Sequence, residues 1–357
     1  MPTPTRRIRG QQAEPGVAPA VLARSLVDGS VRCDLCAHRC LIRPGRFGVC
    51  GVRENRAGRL VTLVHGEAVA ASLDPIEKKP LFHVVPGSRA YSIATRGCNF
   101  HCRFCQNWAI AQPPRDGPGP GSFRLPPASV VAEALAGGAR SVAYTYVEPT
   151  IFAEYLLDTA RLARPVGLLG LLITNGYQTP EALDLLAPWI DAASVDLKSF
   201  SDRFYRRICG ATLAPVLESL IGMRRRGIWV EVTTLIIPGE NDDPGELREL
   251  TGWLVRELGP ETPWHVSRFF PAHRMSGRSP TSLASIRAAV GLGREAGLHH
   301  VYPGNVPSFG GDLLSDDTRC SACRHVLVSR RGYAVLENRI VDGGCPDCRT
   351  PVAGIWA

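Results

Sequence analysis

The sequence has no long apolar run. Its longest apolar stretch, VGLLGLLI at residues 166–173, is far shorter than the roughly 20 residues that a membrane-spanning helix needs. The opening MPTPTRRIRGQQAEPGVAPA is basic but lacks the apolar core of a secretory signal. We therefore expect neither secretion nor membrane insertion, and we predict a cytoplasmic location.

The sequence also lacks concentrated charge. Its 41 Lys and Arg residues exceed its 33 Asp and Glu residues, giving a net charge of +8, but the only dense basic run is the short one at residues 224–226. Such a run is more typical of a solvated helix face than of a nucleic-acid-binding patch. With 357 residues, 45% hydrophobic and 21% charged, the chain has the composition of a globular enzyme with a sizeable core.

Cysteine is abundant by contrast. The 12 cysteines fall into three tight clusters plus the isolated Cys209. In a chain for which we expect no secretion, clustered cysteines indicate metal sites rather than disulfides. An isolated cysteine is typical of a small buried apolar side chain, and the alternative for Cys209 is a redox or hydrogen-donating thiol.

Strand-like apolar runs alternate with helical patterns from Tyr91 onward. The runs are YSIAT, SVAYTYV, LLGLLITN, AASVDLK, IWVEVTTLII, WHVSRFF and HHVYPG, and helical patterns occupy residues 129–136, 151–162, 180–186 and 244–258. This alternation predicts an α/β fold with a parallel sheet, open or closed into a barrel, and with functional loops at the carboxyl ends of its strands. The Gly- and Pro-rich residues 112–127 are predicted to form a loop.

The central motif is the sequence RGCNFHCRFCQNW, directly after the first of these runs. Cys98, Cys102 and Cys105 form a C-x3-C-x2-C pattern without a fourth cysteine nearby, which indicates a metal centre with an open coordination position. Three thiolates can hold three irons of a [4Fe–4S] cluster and leave the fourth iron for S-adenosylmethionine, whose reductive cleavage gives a 5′-deoxyadenosyl radical. The alternative is a partial zinc site completed by His101 or His83.

The remaining two cysteine clusters lie near the ends of the chain. The C-terminal spacing, C-x2-C-x21-C-x2-C around a predicted hairpin, is close to that of a zinc ribbon and predicts structural zinc. The N-terminal spacing, C-x2-C-x3-C-x9-C, leaves zinc and a second iron–sulfur cluster open, and we favour zinc slightly because FGVCGVREN resembles a zinc knuckle. The ligands are Cys320, Cys323, Cys345 and Cys348 in the tail, and Cys33, Cys36, Cys40 and Cys50 near the start.

Taken together, these motifs resemble those of the radical S-adenosylmethionine enzymes. The resemblance is closer to the radical enzyme of the AmmeMemoRadiSam system, which is itself similar to pyruvate formate-lyase activating enzymes. It implies a partial (β/α)6 TIM-like barrel at residues 86–315, with a flexible leader at 1–30, a Cys-rich module at 31–85 and a zinc-ribbon-like module at 316–357. The strings that carry it are CDLCAHRCLIRPGRFGVCGVREN, DPIEKKPLFH, RGCNFHCRFCQNW, YTYVEPT, TNGY, DLKSF, FYRRICGA, IIPGEND, SRFFP, GNVP and GIW.

The resemblance also implies roles for polar residues at the strand ends. Glu148 in YTYVEP matches the acid of a Gly-Gly-Glu-Pro segment that contacts the methionyl amino group, although the glycines are missing here. Asn175, Asp196 and Lys198 are the other expected cofactor-binding residues, and Lys198 could contact the cofactor carboxylate. His265 and Arg268 are candidates for substrate contact.

These implied roles predict an oxidoreductase or activase-like enzyme that abstracts hydrogen from an unidentified substrate, which could be a protein. Such an enzyme needs an electron donor such as flavodoxin or ferredoxin. The alternative is an iron–sulfur and zinc-binding protein that contacts RNA or a protein partner without radical catalysis. The positive net charge and the ribbon fit that alternative, but it leaves Glu148, Asp196 and Lys198 without a reason. We expect no membrane partner and do not favour nucleic acid.

Overall fold

A computed structural model describes residues 14–113, 121–307 and 315–357 of the chain. The strands are β1 (Gly16–Pro19), β2 (Ala23–Ser25), β3 (Val31–Cys33), β4 (Leu41–Ile42), β5 (Arg53–Arg56), β6 (Arg59–His65), β7 (Glu67–Ala68), β8 (Ala70–Pro75), β9 (Arg89–Ala94), β10 (Phe123–Arg124), β11 (Ser141–Tyr144), β12 (Leu169–Thr174), β13 (Ala192–Asp196), β14 (Trp229–Ile236), β15 (Trp264–Arg268), β16 (Val301–Gly304), β17 (Thr318–Arg319), β18 (Val326–Arg331) and β19 (Ala334–Asn338).

The helices lie mainly between the strands of the central sheet. The α-helices are α1 (Trp108–Ala111), α2 (Pro127–Ala136), α3 (Ala153–Ala163), α4 (Pro180–Leu186), α5 (Asp202–Phe204), α6 (Ala214–Arg225), α7 (Pro244–Trp253) and α8 (Leu283–Glu295). Single π-helical turns, Tyr205–Cys209 and Leu254–Leu258, continue α5 and α7. Short 3-10 turns lie at Ile76–Lys78, Pro149–Phe152, Arg164–Val166, Ala187–Trp189 and His273–Met275.

Within the described residues, the central sheet has eight strands in the order β16-β15-β14-β13-β12-β11-β9-β8. The strands from β9 to β16 pair in parallel, and β8 pairs antiparallel with β9 at one edge. Strands β11 and β13 are buried almost throughout, as a parallel sheet covered on both faces requires. The expected α/β architecture is therefore confirmed, and each apolar run named from the sequence forms a strand of this sheet.

A segment between β8 and β9, residues 76–85, packs against one face of the sheet; we call it the plug segment. Its apolar side chains Ile76, Leu81, Val84 and Val85 form one buried cluster with Ala90, Ala143, Leu171 and Ala192 from four neighbouring strands. The backbone N–H groups of Phe82 and His83 donate to the buried Glu231 carboxylate of β14. These contacts fix the positions of Lys78 and Lys79 in the same segment.

The N-terminal part of the chain is more ordered than the sequence suggested. Residues 1–13 lie outside the described residues, but residues 14–30, which we assigned to a flexible leader, include β1 and β2. β1 pairs with β6, and β2 pairs with β3, so backbone hydrogen bonds hold this part of the chain to the Cys-rich module. That part of the leader prediction is wrong, because strand pairing with residues downstream has no local sequence signal.

The C-terminal residues form the antiparallel sheet β17-β18-β19, and the predicted hairpin is its β18–β19 pair. Arg330 of this hairpin is buried and donates to the Phe82 carbonyl over 2.7 Å. Its guanidinium lies 4.4 Å from the Phe82 ring centroid. The C-terminal sheet is thereby attached to the plug segment. No helix in the described ranges combines the length and the apolar character needed to cross a bilayer.

Candidate functional site

A cavity of about 320 Å³ opens at the carboxyl ends of the sheet strands. Loops after β9, β11, β12 and β13 form its walls, as expected where parallel strands end together. The cavity brings together all three central cysteines and the four predicted cofactor-binding residues, which are Cys98, Cys102, Cys105, Glu148, Asn175, Asp196 and Lys198. Their shared location is observed, while their individual roles stay predictions.

The cysteine-bearing loop is held by short-range contacts. The backbone N–H of Phe100 donates to Cys98 Sγ over 3.4 Å. Gly97 has φ +91°, and an added Cβ there would lie 2.7 Å from the carbonyl oxygen of Cys50 and 2.7 Å from Val52 Cγ1. Glycine is therefore needed for both the backbone conformation and the close approach of the N-terminal module.

Cys102 is buried, and Cys98 and Cys105 are half-buried. Burial is the first cause that raises the pKa of Cys98 and the pKa of Cys105, the latter to about 11. Thiolates at these positions consequently need a positive metal centre to offset the loss of water. The three cysteines line one cavity. Among the residues that the structure describes, however, their sulfur atoms do not all lie within 4.8 Å of one another. A single ion would need closer ligands, so the set fits a polynuclear cluster.

Cys209 lies beside this loop, which its sequence position did not indicate. The Cys209 carbonyl accepts a hydrogen bond from the backbone N–H of His101 over 2.8 Å. The pKa of Cys102 is raised by two main causes, first a hydrogen bond with the Cys209 thiol and second burial. Cys209 ends the π-helical turn, and such turns are frequent at functional sites.

Lys198 and Asp196 form an ion pair on the cavity wall, with Nζ 2.8 Å from Oδ2. Burial opposes the charge of Lys198, but the Asp196 carboxylate outweighs it, and the pKa of Lys198 is raised. The ammonium group therefore remains a cation inside the cavity. A fixed cation of this kind can hold a carboxylate.

Glu148 is 2% exposed, and its carboxylate is surrounded by donors from the protein. Oε2 accepts from the Asn175 backbone N–H over 2.7 Å and from Thr174 Oγ1 over 3.0 Å. Oε1 accepts from the Thr150 backbone N–H over 3.1 Å and from the hydroxyl groups of Thr150 and Thr174. Glu148 thus links the ends of β11 and β12 in addition to lining the cavity.

Asn175 is part of the same network. Its side-chain N–H donates to Asn99 Oδ1 over 2.7 Å, and its own Oδ1 accepts from the Tyr177 backbone N–H over 3.2 Å. Asn99 lies between Cys98 and Cys102 in the sequence, so this contact ties the cysteine loop to the end of β12. Asn175 therefore positions the loop whether or not it contacts a cofactor.

The four N-terminal cysteines lie near one another, and Cys50 lies near Cys98 of the central cysteine loop. Electrostatic interactions link Cys36 with Cys33, Cys40 and Cys50, and burial is the first cause that raises the pKa of Cys50 to about 11. Among the described residues, however, no three of these sulfur atoms lie within 4.8 Å of one another. Cys50 and Cys98 line one small cavity, so the two cysteine sets are neighbours.

The C-terminal cysteines have a different geometry. Cys320 Sγ lies 3.5 Å from Cys348 Sγ, and Cys323 Sγ lies 3.6 Å from Cys345 Sγ. All four sulfur atoms are within 4.8 Å of one another. Tetrahedral zinc with bonds of about 2.3 Å places its sulfur ligands about 3.8 Å apart, so this set could bind a metal such as zinc.

Two sequence candidates lie elsewhere, and two unassigned residues lie in the cavity. His265 Nε2 is 2.7 Å from Glu231 Oε2 in a buried network, and Arg268 Nε donates to the Thr281 carbonyl over 2.9 Å. Neither side chain lines the cavity, so the structure does not support substrate contact by them. Lys78 and Lys79 do line the cavity. The sequence could have pointed to them, because lysine is rare in a chain whose basic residues are nearly all arginine.

Comparison with known proteins agrees with this geometry. Residues 92–251 match the family model described as the Radical SAM superfamily. The uncharacterized protein MJ0808 of Methanocaldococcus jannaschii is 41% identical over 313 residues, which are 87% of this chain and 91% of that protein.

Several solved structures are also similar. A domain of pyruvate-formate lyase-activating enzyme from Bacteroides vulgatus is 18% identical and covers 46% of this chain and 99% of its own, with a TM-score of 0.41. Streptococcus suis SuiB bound to S-adenosylmethionine is 12% identical and covers 64% of this chain and 53% of its own, with a TM-score of 0.46.

Proposed function

Since this chain belongs to the radical SAM superfamily, we propose that it cleaves S-adenosylmethionine reductively and uses the 5′-deoxyadenosyl radical to abstract hydrogen from a substrate. Enzymes of this superfamily use a [4Fe–4S] cluster and S-adenosylmethionine, and they need an electron donor. The observation that carries the proposal is the common cavity. Its lining includes three cysteines without a fourth, together with the ammonium group of Lys198 and the carboxylate of Glu148.

Each group in the cavity has a role in this proposal. Cys98, Cys102 and Cys105 hold the cluster, which supplies the electron for carbon–sulfur cleavage when it is bound. Lys198 holds the carboxylate of S-adenosylmethionine, and Glu148 holds its amino group.

A narrower family and the partners of this chain can also be proposed. We propose that the chain is the radical enzyme of an AmmeMemoRadiSam system, similar to pyruvate formate-lyase activating enzymes, on the strength of the sequence strings quoted above. In that proposal it works in the cytoplasm with flavodoxin or ferredoxin as its electron donor.

The test is cleavage of S-adenosylmethionine by anaerobically reconstituted protein under reduction. We expect 5′-deoxyadenosine and methionine from the wild type and none from a variant with Cys98, Cys102 and Cys105 changed to Ala. Cys348→Ser is the matched control, because it removes a thiol of the C-terminal cysteine set, which does not line the cavity, and should leave cleavage intact. Undiminished cleavage in the triple variant would overturn the proposal.

We also propose that Cys33, Cys36, Cys40 and Cys50 bind a second iron–sulfur cluster, in place of the zinc that the sequence slightly favoured. The support is the sulfur spacing. These atoms interact electrostatically, yet among the described residues no three of them lie within 4.8 Å of one another. They are therefore too far apart to bind a single ion together, and the same is true of the three central sulfur atoms. A cubane places each thiolate on a different iron and needs this wider spacing.

Arg53 adds a second line of support. It is 1% exposed, interacts electrostatically with Cys33, Cys36 and Cys50, and pairs with Glu154 at 3.0 Å. Its Nε atom is buried without a hydrogen-bond partner among the described residues. The sulfur atoms of a cluster would offer acceptors to such a donor.

Metal analysis tests the second cluster. Two clusters and one zinc require about eight irons and one zinc per chain, whereas one cluster and two zincs require about four irons and two zincs. We expect the first composition, with iron falling to about four in the variant Cys33→Ala/Cys36→Ala. A wild-type composition of four irons and two zincs would refute the second cluster and leave the first untouched.

A further inference from the structure

Lysine has an unusual distribution in this chain. Of the 41 Lys and Arg residues only three are lysines, Lys78, Lys79 and Lys198, and all three line the functional cavity. Among the described residues, no arginine lines it. The proposed function uses Lys198 and gives Lys78 and Lys79 no role. Two cations on the wall of a reaction cavity therefore need an explanation.

Both side chains converge on one carboxylate at the end of β8. Lys78 Nζ lies 2.8 Å from Asp74 Oδ1, and Lys79 Nζ lies 2.6 Å from Asp74 Oδ2. Tyr146 OH also donates to Asp74 Oδ2. Lys79 Nζ donates to Tyr146 OH over 3.3 Å and lies 4.5 Å from the centre of its ring. We call Asp74, Lys78, Lys79 and Tyr146 the lysine cluster.

The charges in the lysine cluster do not balance. Burial alone would raise the pKa of Asp74, but hydrogen bonds from Lys78, Lys79 and Tyr146 outweigh burial, so that its pKa is lowered and it is ionised. Two ammonium groups thus share one carboxylate, which leaves a net charge of about +1 at neutral pH. Lys79 is 1% exposed, so its charge is removed from water without a carboxylate of its own.

Unused hydrogen-bond donors accompany this charge. An ammonium group has three N–H donors, and Lys78 uses one of them, on Asp74. The Lys78 side chain is 43% exposed, so its remaining donors can reach a molecule that enters the cavity. An anion would pair with the uncompensated charge and with these donors.

The lysine cluster is joined directly to the cysteine loop. The backbone carbonyl of Tyr146 accepts from Asn107 Nδ2 over 2.8 Å, and Asn107 follows Cys105 by two residues. Tyr146 has φ +65°, a backbone conformation that residues other than glycine rarely adopt and that is concentrated at functional sites. A molecule held by Lys78 would therefore lie beside the proposed cluster site.

We propose that the lysine cluster is the substrate subsite and that it binds the carboxylate or phosphate group of a small acidic molecule. The inference rests on the proposed function, because it places the reacting carbon of that molecule on the cysteine side of the cavity. The cavity of about 320 Å³ also has to admit S-adenosylmethionine in the proposed function, so the group that enters beside it has to be small.

Calorimetry on the anaerobically reconstituted full chain tests the inference, with succinate and inorganic phosphate as probes and succinamide as a neutral control. We expect at least one anion to bind, and succinamide to bind at least tenfold more weakly. Lys78→Gln should weaken anion binding about tenfold or more, as expected for loss of one charge-assisted hydrogen bond. Arg161→Gln is the matched control: it removes an exposed cation paired with Asp158 on α3 and should leave anion binding unchanged.

Two further measurements distinguish binding from a structural role. Asp74→Asn should tighten anion binding, because it removes the competing carboxylate, whereas a merely structural network would show no gain. Burial, together with the nearby Lys78 charge, lowers the pKa of Lys79 to about 8 despite the hydrogen bond to Asp74, and the pKa of Tyr146 is raised above its usual value, first by burial. Lys79 therefore loses its proton first, and the affinity for succinate, which stays a dianion over this range, should fall as the pH rises from 7 to 9.

The outcomes separate this inference from the proposed function. Equal binding of succinamide and succinate, or unchanged anion affinity in Lys78→Gln, overturns the acidic-substrate subsite even if S-adenosylmethionine is cleaved. Absence of cleavage by the wild type overturns the proposed function, while the calorimetry still decides whether the site binds anions. Tighter binding of an acetylated Gly-Asp-Gly peptide than of succinate and phosphate would overturn the small-molecule assignment and favour a protein substrate.

Discussion

The substitution Glu148→Gln separates a structural role of this residue from a role in cofactor binding. The change replaces one carboxylate oxygen by an amide group that donates instead of accepting. The hydroxyl of Thr174 can rotate and adapt to this change, but a backbone N–H cannot. Because the N–H of Thr150 points at Oε1 and that of Asn175 at Oε2, one of the two loses its acceptor in either orientation of the amide.

The expected cost follows from that loss. Losing one hydrogen bond to a charged group typically costs about 1.5–3 kcal/mol. The site is buried, so solvent cannot replace the lost acceptor. We expect the free energy of unfolding to fall by about 1.5–3 kcal/mol. If Glu148 also holds the amino group of S-adenosylmethionine, affinity for that molecule should fall by about one to two orders of magnitude.

Two assays measure these effects. Urea denaturation of the cluster-free protein reports stability, and calorimetry on the reconstituted protein reports binding of S-adenosylmethionine. Thr150→Val is the control, because Thr150 donates to Glu148 without lining the cavity and its loss should reduce stability alone. Wild-type stability of Glu148→Gln would contradict the network. Equal loss of affinity in both variants would refute direct contact between Glu148 and the cofactor.

Three further predictions concern the remaining sites. Gly97→Ala should lower the iron content of reconstituted protein, because its methyl group would overlap the Cys50 carbonyl. Gly167→Ala is the control and should keep the wild-type iron content, because Gly167 has a similar φ but open space around it. Equal iron content in the two variants would contradict the packing argument. Lys198→Met should weaken binding of S-adenosylmethionine by about one to two orders of magnitude while the cluster's absorbance is retained; unchanged affinity would remove its proposed role. Cys348→Ser should reduce zinc, measured by metal analysis, without changing iron.

Much of the fold was predictable because its signals are local. A buried parallel strand is a short apolar run, and a helix between two strands has its own period, so the runs from YSIAT to HHVYPG could be assigned without knowledge of the fold. The cysteine spacings are also local, because each set of ligands lies within one or two loops. The sequence by itself therefore determined which segments form the parallel strands, the three cysteine sets and the polar residues at the strand ends.

The candidate site was only partly predictable. Sequence position placed Glu148 and Asn175 at strand ends, but it did not show that one binds the backbone N–H of the other. Nor did it show the hydrogen bond between Lys79 and Tyr146, which are 67 positions apart. The sulfur spacing that favours a second iron–sulfur cluster is likewise a distance, and the same cysteine pattern is compatible with zinc.

Tertiary structure alone decided which of these groups meet. Strands that are far apart in sequence end at the same edge of the sheet, and the plug segment adds residues from before the first parallel strand. Hydrogen bonds and charge pairs act over about 3–4 Å, so they depend on that packing rather than on spacing along the chain. The sequence therefore carried the identity of the predicted metal-binding side chains, and the folded sheet determined the proposed acidic-substrate subsite, the hydrogen-bond network of Glu148 and the contact between Cys102 and Cys209.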